Sequence, residues 1–172
     1  MPYERDEQLA RPWAAPGTPG LEHRLGGLEK EERTGNVTYD PLNHEKMVRL
    51  RIEKTARVAE TIPALTVDGP PQGDVLVLGW GSTCGAIRTA AECCRRKDLQ
   101  VANAHLRYLN PLPANVGAVL ARYRKILLPE LNAGQLAQVL RAAFPADIVS
   151  LSKVQGRPFL VSEIESKIQE ML

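Results

Sequence analysis

The 172-residue sequence has few residues of the kinds that bind metals. It contains three cysteines and three histidines. Cys93 and Cys94 are neighbours in a predicted helix, so their side chains diverge, and Cys84 stands alone beside a glycine turn. No Cys-x-x-Cys pair and no histidine pair at helical spacing is present, so the sequence predicts no zinc or iron–sulfur site within this chain. We expect three free thiols, buried or half-buried.

A strong net charge and long apolar runs are also missing. Lys and Arg total 22 and Asp and Glu total 20, and the net charge of +2 gives no reason to expect nucleic acid or an anionic membrane as a partner. No apolar run approaches the roughly 20 residues that a membrane helix needs. The segment Met1–Glu7 is too acidic and polar for a signal peptide, so the cytoplasm is the expected location.

The clearest local pattern is the stretch Asp74–Gly85, in which an aliphatic run ends in glycines. The run predicts a strand buried on both faces, and the glycines predict a sharp turn after it. Ser82 and Thr83 follow where a helix over Ala86–Lys97 is predicted to begin. We expect their hydroxyl groups to satisfy the free amides of its first turn.

The same alternation of strand and helix continues to the C-terminus. Further strands are predicted over Val101–Leu109, Lys125–Leu128 and Asp147–Leu151, and Pro129 is expected to prevent the middle one from running further as an interior strand. Further helices are predicted over Ala114–Tyr123, after the capping pattern Asn132–Gln135, and from a cap at Ser162. This order is typical of an α/β protein with a mostly parallel sheet covered by helices on both faces.

The part before this alternation has a different character. Residues 1–43 are rich in proline and glycine but carry apolar residues that a solvated linker seldom keeps, among them Trp13, Leu25 and Tyr39. We interpret them as an extended arm that lies on another surface. Residues 44–63 are predicted as a connecting helix capped by Asn43, and residues 64–172 as the α/β domain.

Right-handed crossovers bring the carboxyl ends of all parallel strands to one edge of the sheet, where a ligand or a partner would bind. The candidate residues at this edge are Trp80, Ser82, Thr83, Arg107, Tyr108, Asn110, Glu130, Asn132, Gln135, Lys153 and Gln155.

None of these residues completes a catalytic, cofactor-binding or metal-binding set. The glycine pattern around Trp80 has one residue too many for a dinucleotide fingerprint, and Ser82 lacks the flanking glycines of a nucleophile elbow. Glu130 is either a carboxylate acid or base, or a partner for the helix amides near Asn132. An anion site at Ser82 and Thr83 and a turn capped by its own hydroxyl groups both remain open.

Several longer motifs, read together, resemble one family. They are, in chain order, Arg11-Pro12-Trp13, Pro16-Gly17-Thr18-Pro19-Gly20-Leu21-Glu22-His23, Thr34-Gly35-Asn36-Val37, Gly79-Trp80-Gly81-Ser82-Thr83, Glu130-Leu131-Asn132 and Lys153-Val154-Gln155-Gly156-Arg157-Pro158-Phe159. From about Tyr3 onwards the chain resembles the C-terminal portion of the alpha subunit of 2-oxoacid:ferredoxin oxidoreductases, most like the 2-oxoglutarate (KorA-type) branch. Cys84 stands where that family often has a larger residue.

The resemblance implies a three-layer α/β/α sandwich around a five-stranded, mostly parallel sheet, of the transketolase C-terminal type. In the family this domain follows a domain that binds the pyrimidine of thiamine pyrophosphate. The complete enzyme converts a 2-oxoacid and CoA to acyl-CoA, CO₂ and reduced ferredoxin, using thiamine pyrophosphate, Mg²⁺ and a [4Fe–4S] cluster that lie outside the segment matched here.

The resemblance therefore implies a chain that is inactive alone and braces the active site. Its partners would be the upstream alpha-subunit domains and the beta subunit, with ferredoxin and CoA reached through the whole complex. Both a fragment of a longer subunit and a separately encoded small subunit fit this reading. The alternative is an independent α/β domain that binds an anion or nucleotide at the strand edge.

Overall fold

The computed structural model describes all 172 residues, which form two compact units, Met1–Thr61 and Ile62–Leu172. The first unit contains one α-helix and a 3-10 helix (Val58–Glu60), and the second contains five strands, four α-helices and a 3-10 helix (Gly81–Thr83). The elements are α1 (Pro41–Arg57), β1 (Val67–Asp68), β2 (Gly73–Trp80), α2 (Cys84–Arg95), β3 (Val101–Leu106), α3 (Val116–Leu120), β4 (Tyr123–Glu130), α4 (Gln135–Ala143), β5 (Ile148–Ser152) and α5 (Val161–Met171). The division of the chain into an arm, a connecting helix and an α/β domain, made from the sequence, remains a prediction.

In the first unit, turns and a single β-bridge between Lys30 and Val37 precede α1. The cap of α1 is Asp40, whose carboxylate accepts the Leu42 N–H at 3.0 Å. The prediction of Asn43 as the cap was wrong, because the helix begins two residues earlier at a proline, which suits the first helical position. Asn43 instead donates from Nδ2 to the Lys30 carbonyl at 2.9 Å, so it ties the bridged segment to the helix.

In the second unit, the five strands have the order β1-β3-β2-β4-β5. The pairs β2–β3, β2–β4 and β4–β5 are parallel, and only β1 pairs antiparallel to β3. The mostly parallel, five-stranded sheet is confirmed. The residue pattern alone found four strands, since β1 is two residues long and leaves no period to detect.

The sheet separates two hydrophobic cores. Leu76 and Leu78 of β2 pack with buried residues of α3 and α4, whereas Val75 and Val77 pack with buried residues of α2 and α5. Successive strand residues point to opposite faces, so one aliphatic run supplies both cores. Full burial of each such side chain contributes roughly 1.5–3 kcal/mol. The three-layer α/β/α sandwich follows from this arrangement.

Two element bounds in this unit differ from the predicted ones. Strand β4 runs past Leu128 to Glu130, but beyond Leu127 it has β5 as its only registered neighbour, so Pro129 does not lie in an interior stretch of strand, as expected. Helix α5 begins at Val161, so Ser162 lies inside its first turn. The Leu160 N–H is instead accepted by the Glu163 carboxylate at 2.7 Å.

Candidate functional site

The centre of the strand edge lies between the ends of β2 and β4. The chain leaves β2 for β3 on one side and returns to β4 on the other side, which makes this the switch point where open α/β sheets bind ligands. A cleft of about 100 Å³ lies here, lined by Trp80, Gly81, Ser82, Thr83, Leu131 and Asn132. Four of the predicted residues therefore meet in one place.

A tight turn forms the β2 side of this cleft. The Thr83 hydroxyl donates to the Trp80 carbonyl at 2.8 Å, and its oxygen accepts the Trp80 N–H at 3.3 Å. Gly81 has φ +60°, the left-handed conformation that glycine adopts without strain. Thr83 stands at the N-cap position of α2, but neither its hydroxyl group nor that of Ser82 accepts an amide of the first helical turn, which corrects that prediction. Thr83 belongs instead to a turn closed by its own hydroxyl group, and Ser82 is exposed.

Behind the cleft, Glu130 is fully buried and is bonded only to protein donors. Its Oε1 accepts the Leu136 N–H at 3.0 Å and the Trp80 indole N–H at 3.4 Å, and its Oε2 accepts the Ala137 N–H at 3.1 Å. The carboxylate thus satisfies free amides at the positive N-terminal end of α4. The reading of Glu130 as a helix-amide partner is supported, although the amides are those of Leu136 and Ala137.

The β4 side of the cleft is also built on the start of α4. Asn132 Oδ1 accepts the Gly134 N–H at 2.7 Å and the Gln135 N–H at 3.3 Å. Gly134 has φ +87° and stands at the cap position of α4, where a Cβ would lie 3.0 Å from Ser150 Oγ. Gln135 contributes only its backbone here, because its side chain is exposed.

A second hollow of about 280 Å³ lies beside the end of β3. His105, Arg107, Tyr108 and Leu65 are among the residues that line it. His105 Nδ1 is buried and has no hydrogen-bond partner. Burial, and then the positive charge of Arg107, lower the pKa of His105. The exposed side chain of Asn110 lines neither this hollow nor the cleft.

The last two predicted residues belong to the loop after β5. Lys153 is only 9% exposed and contacts Glu163 at 2.7 Å and the Pro158 carbonyl at 3.1 Å. The hydrogen bond from Lys153, followed by that from the Leu160 N–H, lowers the pKa of Glu163. Gln155 is exposed. The predicted edge thus divides into a central cleft, a hollow beside β3 and a self-paired loop.

Sequence reasoning missed two features of this region. His105 could have been found, since the two-residue period of a strand places it on the same face as Arg107. Leu131 carries no chemical signal and joins the cleft only through the fold. Cys84 is exposed, which corrects the expectation of a buried or half-buried thiol. The structure contains no group of three side chains that could hold a metal ion, and none of its helices has the length and apolar character needed to cross a bilayer.

Comparisons with known proteins give an end-to-end sequence match. The chain is 52% identical over 174 residues to 2-oxoglutarate oxidoreductase subunit KorA of Mycobacterium tuberculosis, and the alignment covers 100% of the chain and 26% of KorA. The chain therefore spans about a quarter of the length of this relative. No protein-family model matches the chain.

Two solved structures share the fold. The 2-oxoglutarate:ferredoxin oxidoreductase from Magnetococcus marinus, solved with 2-oxoglutarate, coenzyme A and succinyl-CoA bound, matches with a TM-score of 0.89 and 35% identity, over 98% of this chain and 30% of that one. A split-gene transketolase, described as an inactive beta4 tetramer, matches with a TM-score of 0.51 and 15% identity over 63% of this chain and 42% of that one. The second likeness concerns the fold alone.

Proposed function

We propose a bracing role within a larger enzyme, from the premise that this chain corresponds to the C-terminal portion of a KorA-type 2-oxoacid:ferredoxin oxidoreductase alpha subunit. In this proposal the chain supports the active site and the contacts with the upstream alpha-subunit domains and the beta subunit. The assembled enzyme converts a 2-oxoacid, with 2-oxoglutarate as the proposed substrate, and CoA to acyl-CoA, CO₂ and reduced ferredoxin.

The observation that carries the proposal is the extent of the match. The structural match to one larger oxidoreductase chain has a TM-score of 0.89 and covers 98% of this chain, so it includes both of its units. An independent binding domain of the same α/β class would match over the sheet alone. The role therefore rests on the whole chain and not on a common fold.

The geometry of the strand edge favours support over catalysis. Two of its three charged groups are used internally, since Glu130 holds the start of α4 and Lys153 is paired with Glu163, whereas Arg107 lines the hollow beside β3. The central cleft of about 100 Å³ is below the roughly 300–1,000 Å³ of ordinary ligand pockets. In this proposal thiamine pyrophosphate, Mg²⁺ and the [4Fe–4S] cluster are held by the rest of the enzyme.

The test compares the isolated chain with the assembled enzyme. The purified chain, given thiamine pyrophosphate, Mg²⁺, 2-oxoglutarate, CoA and ferredoxin, is expected to reduce no ferredoxin. The complete alpha subunit that carries this segment, purified with its beta subunit, is expected to reduce ferredoxin only when both 2-oxoglutarate and CoA are present. Turnover by the isolated chain would overturn the bracing role.

Binding measurements separate this role from the alternative of an independent ligand-binding domain. Calorimetry of the isolated chain with thiamine pyrophosphate, NAD and CoA is expected to show no binding in the micromolar range. Saturable heat with any of the three ligands would favour the alternative. A Thr83→Ala variant, which opens the turn beside the cleft, would then show whether the cleft is the binding site.

A further inference from the structure

The first unit buries very little apolar surface for its length. Met47 is the only hydrophobic residue of Met1–Thr61 in the buried core, and Pro2 is the only other apolar side chain that is buried. Several large apolar residues of this unit are instead open to solvent: Trp13, Leu25, Leu28, Tyr39, Leu42 and Ile52. Exposed apolar groups gathered in one place mark a surface that another body covers.

Two of these residues line a common hollow. Trp13 is 99% exposed and Leu25 is 80% exposed, and both line a hollow of about 330 Å³ together with Pro12 and Ala14. We call these four residues the Trp13 face. A tryptophan that is open on all sides has the large area and the amphipathic ring that anchor protein interfaces.

The rim of the Trp13 face is positively charged. Arg11 and Lys54 line the same hollow, and the Arg11 guanidinium lies 3.8 Å above the ring of Tyr3. Neither cation is in an ion pair, whereas Arg49, Arg51 and Arg57 of the neighbouring helix α1 each have a glutamate partner. Two unpaired cations beside an apolar hollow are complementary to an apolar side chain flanked by carboxylates.

The fold of this unit also occurs within a longer chain. The match to the Magnetococcus marinus oxidoreductase includes nearly all of the unit, yet it covers only 30% of that chain. In that protein the same backbone course therefore exists together with the remaining chain. Because the hydrophobic core of this unit is so small, we expect contacts with another part of the protein to stabilise its backbone conformation.

From these observations we propose that the Trp13 face binds the part of the alpha subunit that lies outside this chain. The occupant is an apolar side chain with one or more carboxylates beside it, which meet Arg11 and Lys54. This inference rests on the proposed function, because it takes the chain to be one portion of an alpha subunit. It adds the surface through which that portion is held.

The first test follows the solvent exposure of Trp13. Acrylamide quenching is measured for the wild type and for Trp13→Phe, both in the isolated chain and in the complete alpha subunit purified with its beta subunit. The difference between wild type and Trp13→Phe isolates the signal of residue 13. We expect strong quenching in the isolated chain and its loss in the complete subunit. Equal quenching in both states would overturn the proposal.

A matched pair of variants tests the face itself. Leu25 lines the hollow, whereas Leu42, which is 74% exposed, does not line it. In the complete subunit, Leu25→Ser is expected to restore acrylamide quenching of Trp13 and to expose residues 11–25 to chymotrypsin, whereas Leu42→Ser is expected to do neither. Both positions are on the surface, so folding is retained. Equal effects of the two variants would contradict the assignment.

A charge variant and a measurement of size complete the design. Lys54→Glu is expected to weaken the protection of Trp13 more than Lys54→Ala does, because it repels the proposed carboxylates. Sedimentation of the isolated chain then tests a second copy as the occupant: dimerisation that protects Trp13 would overturn the proposal. All of these readouts are independent of turnover, so failure of the docking surface and failure of the proposed enzyme role are distinguishable.

Discussion

Replacement of Glu130 tests whether its carboxylate holds the strand edge together. The side chain has no exposed surface and accepts the N–H groups of Leu136 and Ala137 at 3.0 and 3.1 Å. In Glu130→Ala both amides lose their acceptor at the buried start of α4. The indole N–H of Trp80, at 3.4 Å, loses a weaker contact.

The magnitude follows from these donors. A buried donor left without a partner costs about 1–3 kcal/mol, so the two amides together cost about 2–6 kcal/mol. Removal of the buried carboxylate also removes the cost of desolvating its charge, which offsets part of this loss. We therefore expect Glu130→Ala to lower the free energy of unfolding by about 2–4 kcal/mol. Glu130→Gln keeps one oxygen and leaves one amide facing an NH₂ group, so we expect a loss of about 1–3 kcal/mol.

Urea unfolding followed by Trp80 fluorescence measures the effect. The assay uses a Trp13→Phe background, since Trp13 is open to solvent and would report on the first unit. Glu170→Gln, at an exposed glutamate of the same unit, is the control and is expected to change the free energy of unfolding by less than about 0.5 kcal/mol. If Glu130→Ala costs no more than this control, the carboxylate does not hold the start of α4.

Three further predictions concern the second unit. Gly79→Ala places a Cβ in overlap with Ile87 Cδ1 and 3.0 Å from Thr83 Oγ1, so it is expected to lower the free energy of unfolding by about 1–3 kcal/mol. Gly85→Ala, with open space around it in helix α2, is expected to raise the free energy of unfolding by about 0.4–1 kcal/mol. Urea unfolding of both variants checks this, and a loss of stability with Gly85→Ala would contradict it. The hydrogen bond from Lys153 lowers the pKa of Glu163. The stabilisation from this pair is therefore present above the ordinary pKa of glutamate and is lost as the pH falls through the lowered pKa. In Glu163→Gln, unfolding midpoints measured against pH should fall less steeply on the acid side than in the wild type, and an unchanged acid side would count against the pair. Burial raises the pKa of the Cys94 thiol, which should resist iodoacetamide in the folded chain and react in urea; mass spectrometry shows the outcome, and rapid native labelling would refute the burial.

Patterns that extend over several residues were predictable from the sequence. The run Val75–Leu78 predicts a strand buried on both faces, and the structure places it at the centre of the sheet. The alternation of strands and helices predicts a parallel sheet with two covered faces. Single residues at element ends were less predictable, because Asp40 and Asn43 are both good caps and only the position of the helix start decides between them.

The sequence predicted which residues lie at strand ends, but it did not predict which of them lie close together. Trp80, Thr83 and Asn132 do line one cleft, as strand ends at a switch point should. Arg107 lies instead in a separate hollow beside β3, and Lys153 is paired within its own loop. Crossovers bring strand ends to one edge, but the distances along that edge depend on strand order, which a local pattern does not contain.

The sequence by itself determined the class of the fold and carried the resemblance to one family, because the apolar period and the long motifs lie in consecutive residues. Only the tertiary structure decided what Glu130 does. Its partners lie six and seven residues onward and 50 residues back, so the carboxylate becomes a helix cap only after β2, β4 and α4 have come together. A buried charge takes its role from the donors that reach it, and those donors are placed by the packing of the whole sheet.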